Sequence, residues 1–231
     1  MRKIVAKIFR KNKVSHSALL YGLQRSGTNY LQVLIEKNYP QIAFMNSEVR
    51  NNPAHKHFRL YDDKTCIPEP QFMNSVLVND LKEFETHLSA IPDIYLVVSK
   101  DPYSWYLSYK KWAKKNNWPP PAYHYMQEWN LFYGKWLEFA GETGKIIFVR
   151  YFDLLTNPEK EISEIIQKLN LPGVKTIKTS RKVYASRRFT AGDAKYYTNK
   201  EYMQKFSSEE IKDLNARVDI SVLQKLGYDL I

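Results

Sequence analysis

The stretch His16–Glu36, HSALLYGLQRSGTNYLQVLIE, changes character twice along its length. Ala18-Leu19-Leu20-Tyr21 is a short apolar run and reads as a buried strand. Gly22-Leu23-Gln24-Arg25-Ser26-Gly27-Thr28-Asn29 is a polar loop with glycine at its start and near its end. Leu31, Leu34 and Ile35 then fall on one helix face. A strand, a glycine-bounded loop and a helix start form a geometry suited to phosphate. First-turn amides have no intrahelical acceptor, and the helix dipole favours an anion beside them.

The composition of the loop narrows the kind of anion site. In a Walker A loop, Lys and then Ser or Thr follow the second glycine, the Lys reaching the outer phosphates and the hydroxyl binding magnesium. Gly22 and Gly27 have that separation, but Thr28-Asn29 stands in the Lys-Ser/Thr place, and the cation is Arg25, ahead of the second glycine. The loop is therefore expected to cradle a phosphate without the usual magnesium ligand. An ATP-dependent P-loop kinase of small molecules would need the missing Lys.

Outward from this stretch, the chain alternates strand-like and helix-like segments. Ile42-Ala43-Phe44 reads as a second strand, His55–Tyr61 as another by its alternation, and Leu81–Leu88 as a helix. Ile94-Tyr95-Leu96-Val97-Val98-Ser99 is a continuous apolar run rich in β-branched residues, the pattern of a central parallel strand. Asp101-Pro102 then supplies a cap and a first helical residue for a helix carrying Tyr103, Trp105, Ser108 and Trp112. Met126–Ala140 is helical in pattern, Ile146–Val149 is another buried strand, and Asn157-Pro158 opens a helix with Ile162, Ile165, Ile166 and Leu169 on one face. The alternation predicts an α/β fold, three-layered, with a mostly parallel central sheet. No repeat or long linker divides residues 1–231, so a single domain is expected.

Composition sets further bounds. In 231 residues, 44% are hydrophobic, which supports a sizeable core. Lys and Arg number 35 against 24 Asp and Glu, a net +11 that suggests a polyanionic partner. Nucleic acid, an anionic membrane and a multiply charged nucleotide are the candidates; the charge is spread along the chain, which weakens the case for a nucleic-acid-binding module. The single Cys66 excludes an intramolecular disulfide and a Cys-based zinc site and fits a reducing, cytoplasmic setting. No apolar run reaches the roughly 18 residues of a membrane span. Residues 1–14 begin with a basic amphipathic segment. It reads either as a peripheral contact with an anionic membrane surface or as a solvated helix packing Ile4, Ile8 and Phe9 inward.

Gln24-Arg25-Ser26-Gly27-Thr28-Asn29-Tyr30 resembles the 5′-phosphosulfate loop of the sulfotransferases that use 3′-phosphoadenosine 5′-phosphosulfate (PAPS). Three more segments carry the resemblance, in the same order. Lys100 ends a strand and Ser108 follows eight residues on, as in the family's 3′-phosphate segment, where Arg is commoner than Lys. Tyr151-Phe152-Asp153-Leu154 with Asn157-Pro158 is similar to the segment that places a Tyr near adenine, with Phe152 in place of the usual Glu. Arg187-Arg188-Phe189-Thr190-Ala191-Gly192-Asp193 resembles the flexible loop that closes over the 3′-phosphate, with Phe189 in place of a Gly.

The resemblance implies a metal-independent transferase. It would move a sulfuryl group from PAPS to an acceptor hydroxyl, leaving 3′,5′-ADP (PAP). It implies that Arg25, Ser26, Gly27, Thr28 and Asn29 hold the 5′-phosphate and that Tyr30 stacks on adenine. Lys100, Ser108, Arg187 and Arg188 would hold the 3′-phosphate, with Tyr151 near the base. For the catalytic base it leaves three candidates: His57 first, then Glu48 or His55. Lys56 would assist the transferring oxygens. Trp105, Trp112, Trp118 and Tyr123 offer aromatic faces for the acceptor, for which a carbohydrate or glycolipid is expected.

Overall fold

The computed structural model describes residues 14–61, 75–117, 124–173, 176–178, 182–184, 187–188 and 191–231, with the backbone alone for 182–184, 187–188, 191 and 193. Four strands, β1 (His16–Tyr21), β2 (Ile42–Phe44), β3 (Ile94–Ser99) and β4 (Ile146–Arg150), form one parallel sheet in the order β2-β1-β3-β4. Successive side chains of a strand face opposite sides. Leu19, Tyr21, Tyr95 and Val97 therefore enter one core, and Ala18, Leu20, Ile94, Leu96 and Val98 the other. β3 is buried over its whole length, as its unbroken apolar sequence requires.

Helices cover both faces, giving three layers. Helix α1 (Thr28–Asn38) packs Tyr30, Leu31, Leu34 and Ile35 onto one face. On the opposite face lie α3 (Pro102–Lys115) and α4 (Tyr125–Ala140), with Trp105, Trp129, Phe132 and Trp136 fully or almost fully buried. The short α2 (Leu81–Thr86) caps that side. Beyond β4 come α5 (Tyr151–Thr156) and α6 (Pro158–Lys168), and Ile162, Ile165 and Ile166 join the α1 core. The expected caps are in place: Asp101 accepts from the Ser104 amide at 2.9 Å, and Asn157 from the Lys160 amide at 3.2 Å.

Two expectations are corrected. His55–Tyr61 is a run of turns, not a strand, and its one ladder contact is an isolated bridge between Arg59 and Ser75. Its backbone is bonded to the β1 loop instead, where the Gly22 amide donates to the Lys56 carbonyl at 3.0 Å. The basic segment near the C-terminus is not an open loop throughout. β5 (Lys182–Tyr184) pairs antiparallel with β6 (Arg187–Arg188), and α7 (Ala191–Thr198) takes up Gly192 and Asp193. The chain ends with a 3₁₀ turn at Glu201–Lys205 and helices α8 (Ser208–Arg217) and α9 (Ile220–Lys225).

The strand order places the site. The chain leaves β1 for β2 on one side, then crosses back to β3 on the other. Such a reversal opens a crevice beyond the carboxyl ends of β1 and β3. Gly22–Gly27 and Lys100 emerge there. Among the described residues, no helix is long and apolar enough to cross a membrane.

Candidate active site

The loop between β1 and α1 is held rigidly. Trp105 Nε1 donates to the Gln24 carbonyl at 3.0 Å, and the Ser26 amide closes a turn on the Leu23 carbonyl at 3.1 Å. A Cβ on Gly22 would lie 2.7 Å from the Val98 carbonyl and 2.6 Å from Ser26 Oγ. Gly27 has a φ of 107° and abuts the Tyr151 ring. Arg25, at φ 74°, occupies the left-handed region that ordinary side chains avoid.

Three consecutive amides, those of Gly27, Thr28 and Asn29, make no hydrogen bond to any described residue. Gly27 is the N-cap of α1 and has no side chain to satisfy them. Ser26, whose amide belonged to the expected set, has already spent it inside the loop. Ser26 Oγ is fully buried beside the Tyr133 hydroxyl, which donates to the Val98 carbonyl at 2.9 Å.

Cations gather around these open donors. Arg25 is exposed, its Nε donating to Ser108 Oγ at 3.3 Å and its guanidinium lying 5.2 Å from the Trp112 ring. Eighty-three residues separate Arg25 from Ser108 in sequence, so the fold alone brings these two predicted phosphate ligands together. Lys100, 3% exposed, has no carboxylate partner among the described residues. Its Nζ sits 4.3 Å from the Tyr197 ring and 5.4 Å from the Tyr151 ring. Burial, aided by the charge on Arg25 and opposed by Asp101, brings the Lys100 ammonium down to a pKa of about 7. A buried amine beside a second cation gives up its proton more readily than an exposed lysine.

His57 lies across the loop. Its Nδ1 is 2.6 Å from the Gly22 carbonyl, an acceptor, so Nδ1 carries the proton and Nε2 keeps its lone pair. Burial above all holds His57 well below its usual pKa; the bond to Gly22 opposes this, while His55, Lys56 and Arg59 add to it. His55 is brought down to about 4 by burial and then by Lys56, Arg50 and Arg59, and its Nδ1 is taken by the His57 amide at 3.3 Å. Lys56 Nζ donates to Asn29 Oδ1 at 2.5 Å, with its pKa lowered by burial against the pull of Glu48 and Glu36. Glu48 is exposed on the turn that precedes this segment.

Other expected residues are placed differently. Tyr30 is 6% exposed and packs edge-on to Tyr151 at 6.5 Å, so its ring belongs to the core beneath the loop. The half-buried Tyr151 and Tyr197 are the rings that border Lys100. Trp105 is wholly buried, which makes it the anchor of Gln24 and not an acceptor surface. The side chains of Arg187 and Arg188, together with Trp118, Tyr123, Cys66 and the basic segment up to residue 13, lie outside the described residues.

Two residues at the site were not anticipated. Arg59 and Glu128, each 1% exposed, form an ion pair under the loop. Glu128 carried a usable signal, a lone carboxylate beside Trp129 in the apolar stripe of a helix. Arg59 carried none, because its segment read as an ordinary strand. The chain matches no known family model and no characterised protein.

Proposed function

We propose that this chain is a PAPS-dependent sulfotransferase that acts on a hydroxyl, of the carbohydrate or glycolipid class. The observation that carries the reading is the meeting of Arg25 with Ser108 at 3.3 Å beside the open amides of Gly27, Thr28 and Asn29. A doubly phosphorylated nucleotide suits this layout: the amides and Arg25 would take a 5′-phosphate, and Lys100 and Ser108, each coupled to Arg25, a 3′-phosphate. The missing cap of α1 and its open amides are the feature such a ligand would satisfy.

PAPS supplies the sulfuryl group and departs as 3′,5′-ADP. Arg25 and the α1 amides neutralise the charge that grows on the leaving phosphate oxygen as its bond to sulfur breaks. His57 Nε2 accepts the proton of the acceptor hydroxyl as the new oxygen–sulfur bond forms. The Gly22 carbonyl steadies the imidazolium through Nδ1–H. The low pKa of His57 keeps its lone pair available throughout the physiological range. Lys56, tied to Asn29, holds a positive charge beside the same face. His57→Ala is expected to lower turnover by about a hundredfold or more while leaving 3′,5′-ADP binding intact. Steady-state rates with labelled PAPS and a panel of oligosaccharides, alongside calorimetric titration, check this, and undiminished turnover would remove His57 from the role.

Thermal melting with three ligands tests the nucleotide. 3′,5′-ADP at a hundred times its dissociation constant should stabilise the fold by about 2.7 kcal/mol. ATP with Mg²⁺, or an oligonucleotide, should do less; a larger shift with ATP–Mg²⁺ would make the chain a kinase, and one with the oligonucleotide alone a nucleic-acid binder. Lys100 sets the pH dependence. With its free-state pKa at about 7, Lys100 is largely neutral at higher pH, and a bound phosphate must draw a proton onto it. Affinity for 3′,5′-ADP should therefore fall as pH rises above 7, by up to about tenfold per unit. Lys100→Met should flatten that slope.

A further inference from the structure

We propose that Arg59, held by Glu128, is a positioning residue that locks the His57 turn to the phosphate loop; this rests on the sulfotransferase reading of the site. His57 stands on a run of turns with no strand ladder to fix it. Two bonds to Gly22 hold it at one point, and a set of bonds to one guanidinium holds it at others. Arg59 Nη1 donates to the His57 carbonyl at 3.2 Å, and Nη2 donates to Gln24 Oε1, inside the loop, at 3.3 Å. Nη2 also reaches the Tyr109 hydroxyl at 3.3 Å, one residue beyond Ser108 on α3. Nε bonds Glu128 Oε1 at 2.8 Å, and Nη2 contacts the same oxygen. One planar group thus ties together the segment of the base, the 5′-phosphate loop and the 3′-phosphate helix.

The chemistry of the pair favours this role over a purely structural one. A buried ion pair is often no more stabilising than apolar residues of the same volume. Apolar side chains cannot bond acceptors on separate segments in fixed directions, whereas the guanidinium fork can. Burial works against the charge on Arg59, but Glu128 above all, with Tyr109 and Tyr61, more than offsets it, so the fork stays protonated. The groups that face His57 are His55 and Lys56 from its own turn, Arg59, and the Gly22 carbonyl from the loop.

The full chain with ¹⁵N-labelled histidine tests this by NMR. His57 is assigned by its loss in His57→Gln. In the wild type, His57 should show the Nδ1–H tautomer and stay neutral well below the ordinary imidazole range. In the double variant Arg59→Met with Glu128→Leu, the melting temperature should stay within a few degrees of wild type. His57 should then show mixed tautomers and titrate at higher pH, because a nearby cation is gone. Affinity for 3′,5′-ADP should fall on the order of tenfold, as expected for a misplaced loop. Arg59→Lys keeps the charge and loses the fork. It should show the same mixed tautomers, and it carries the test if the double variant does not fold. Wild-type tautomer, titration and affinity in either folded variant would overturn the positioning role. Failure of wild-type protein to bind 3′,5′-ADP would instead overturn the sulfotransferase reading, while the tautomer measurement still judges Arg59.

Discussion

Arg25→Gly is expected to weaken 3′,5′-ADP binding by at least about a hundredfold while leaving the melting temperature unchanged or a few degrees higher. The loss follows from removing an exposed guanidinium whose charge-assisted bonds to phosphate are worth about 1.5–3 kcal/mol each. The stability change has a separate origin. Arg25 sits at φ 74°, and an L-residue in the left-handed region carries about 1–2 kcal/mol of strain. Glycine relieves that strain but loses more chain entropy on folding, about 0.5–1 kcal/mol. The two nearly cancel, with relief slightly ahead. Such opposition is what a site under functional constraint should show, since strain is kept only where the side chain is needed. Calorimetric titration with 3′,5′-ADP and thermal melts of the free protein measure the two effects independently. Retained affinity would mean that Arg25 does not face the nucleotide. A large loss of stability would mean that its backbone is not strained.

Gly27→Ala should destabilise the fold by about 2–4 kcal/mol, combining backbone strain with overpacking. At φ 107° only glycine is comfortable, and a Cβ there would lie 2.3 Å from Tyr151 Cδ2. The collision is with a side chain, so Gly27→Ala combined with Tyr151→Ala should recover part of the stability, and the φ penalty should remain. Denaturant melts of the two single variants and the double variant give the coupling directly. Tyr151 also flanks Lys100 at 5.4 Å. Displacing its ring should therefore weaken nucleotide binding beyond what the loss of stability explains. Equal stability of Gly27→Ala and wild type would show that the tight approach of loop to α5 is not required.

The two variants separate what the loop does from how it is held. Arg25 is exposed and would act outward, toward the proposed nucleotide. Gly27 acts inward, allowing α1 to begin next to Tyr151 with three amides left open. Lys100 joins the two roles, because its amine lies against the same Tyr151 ring that Gly27 touches. A cation so deeply buried is costly unless an anion shares its surroundings. Here Asp101 offsets that cost only in part, since burial pushes its own carboxyl up and its oxygens are engaged by the Ser104 amide and Tyr202.

Much of the fold was legible because it rests on local pattern. Apolar runs marked β1, β3 and β4, with β-branched residues in the last two, and the caps Asp101 and Asn157 marked two helix starts within a residue. The misreading of His55–Tyr61 has a physical cause. Its alternation of apolar and polar residues matches a strand, but its backbone bonds go to Gly22, to Val76 and to its own turns, which no periodicity reveals. The aromatic residues were ambiguous for a related reason. Trp105 and Trp112 share a helix, yet one is sealed in the core and the other lies beside Arg25. Arg59 and Glu128 come from segments 69 residues apart, and nothing in either segment names the other.

By itself the amino-acid order determined the parallel α/β arrangement and the glycine-bounded turn with arginine ahead of its second glycine. Both follow from side-chain periodicity and from the backbone freedom of one residue type, and these act over a few positions. Only the tertiary structure decided which cations converge, that His57 presents Nε2, that Tyr30 lies beneath the loop, and that one guanidinium spans three segments. Those outcomes depend on strand order and on burial, and both are properties of distant parts of the chain packed together.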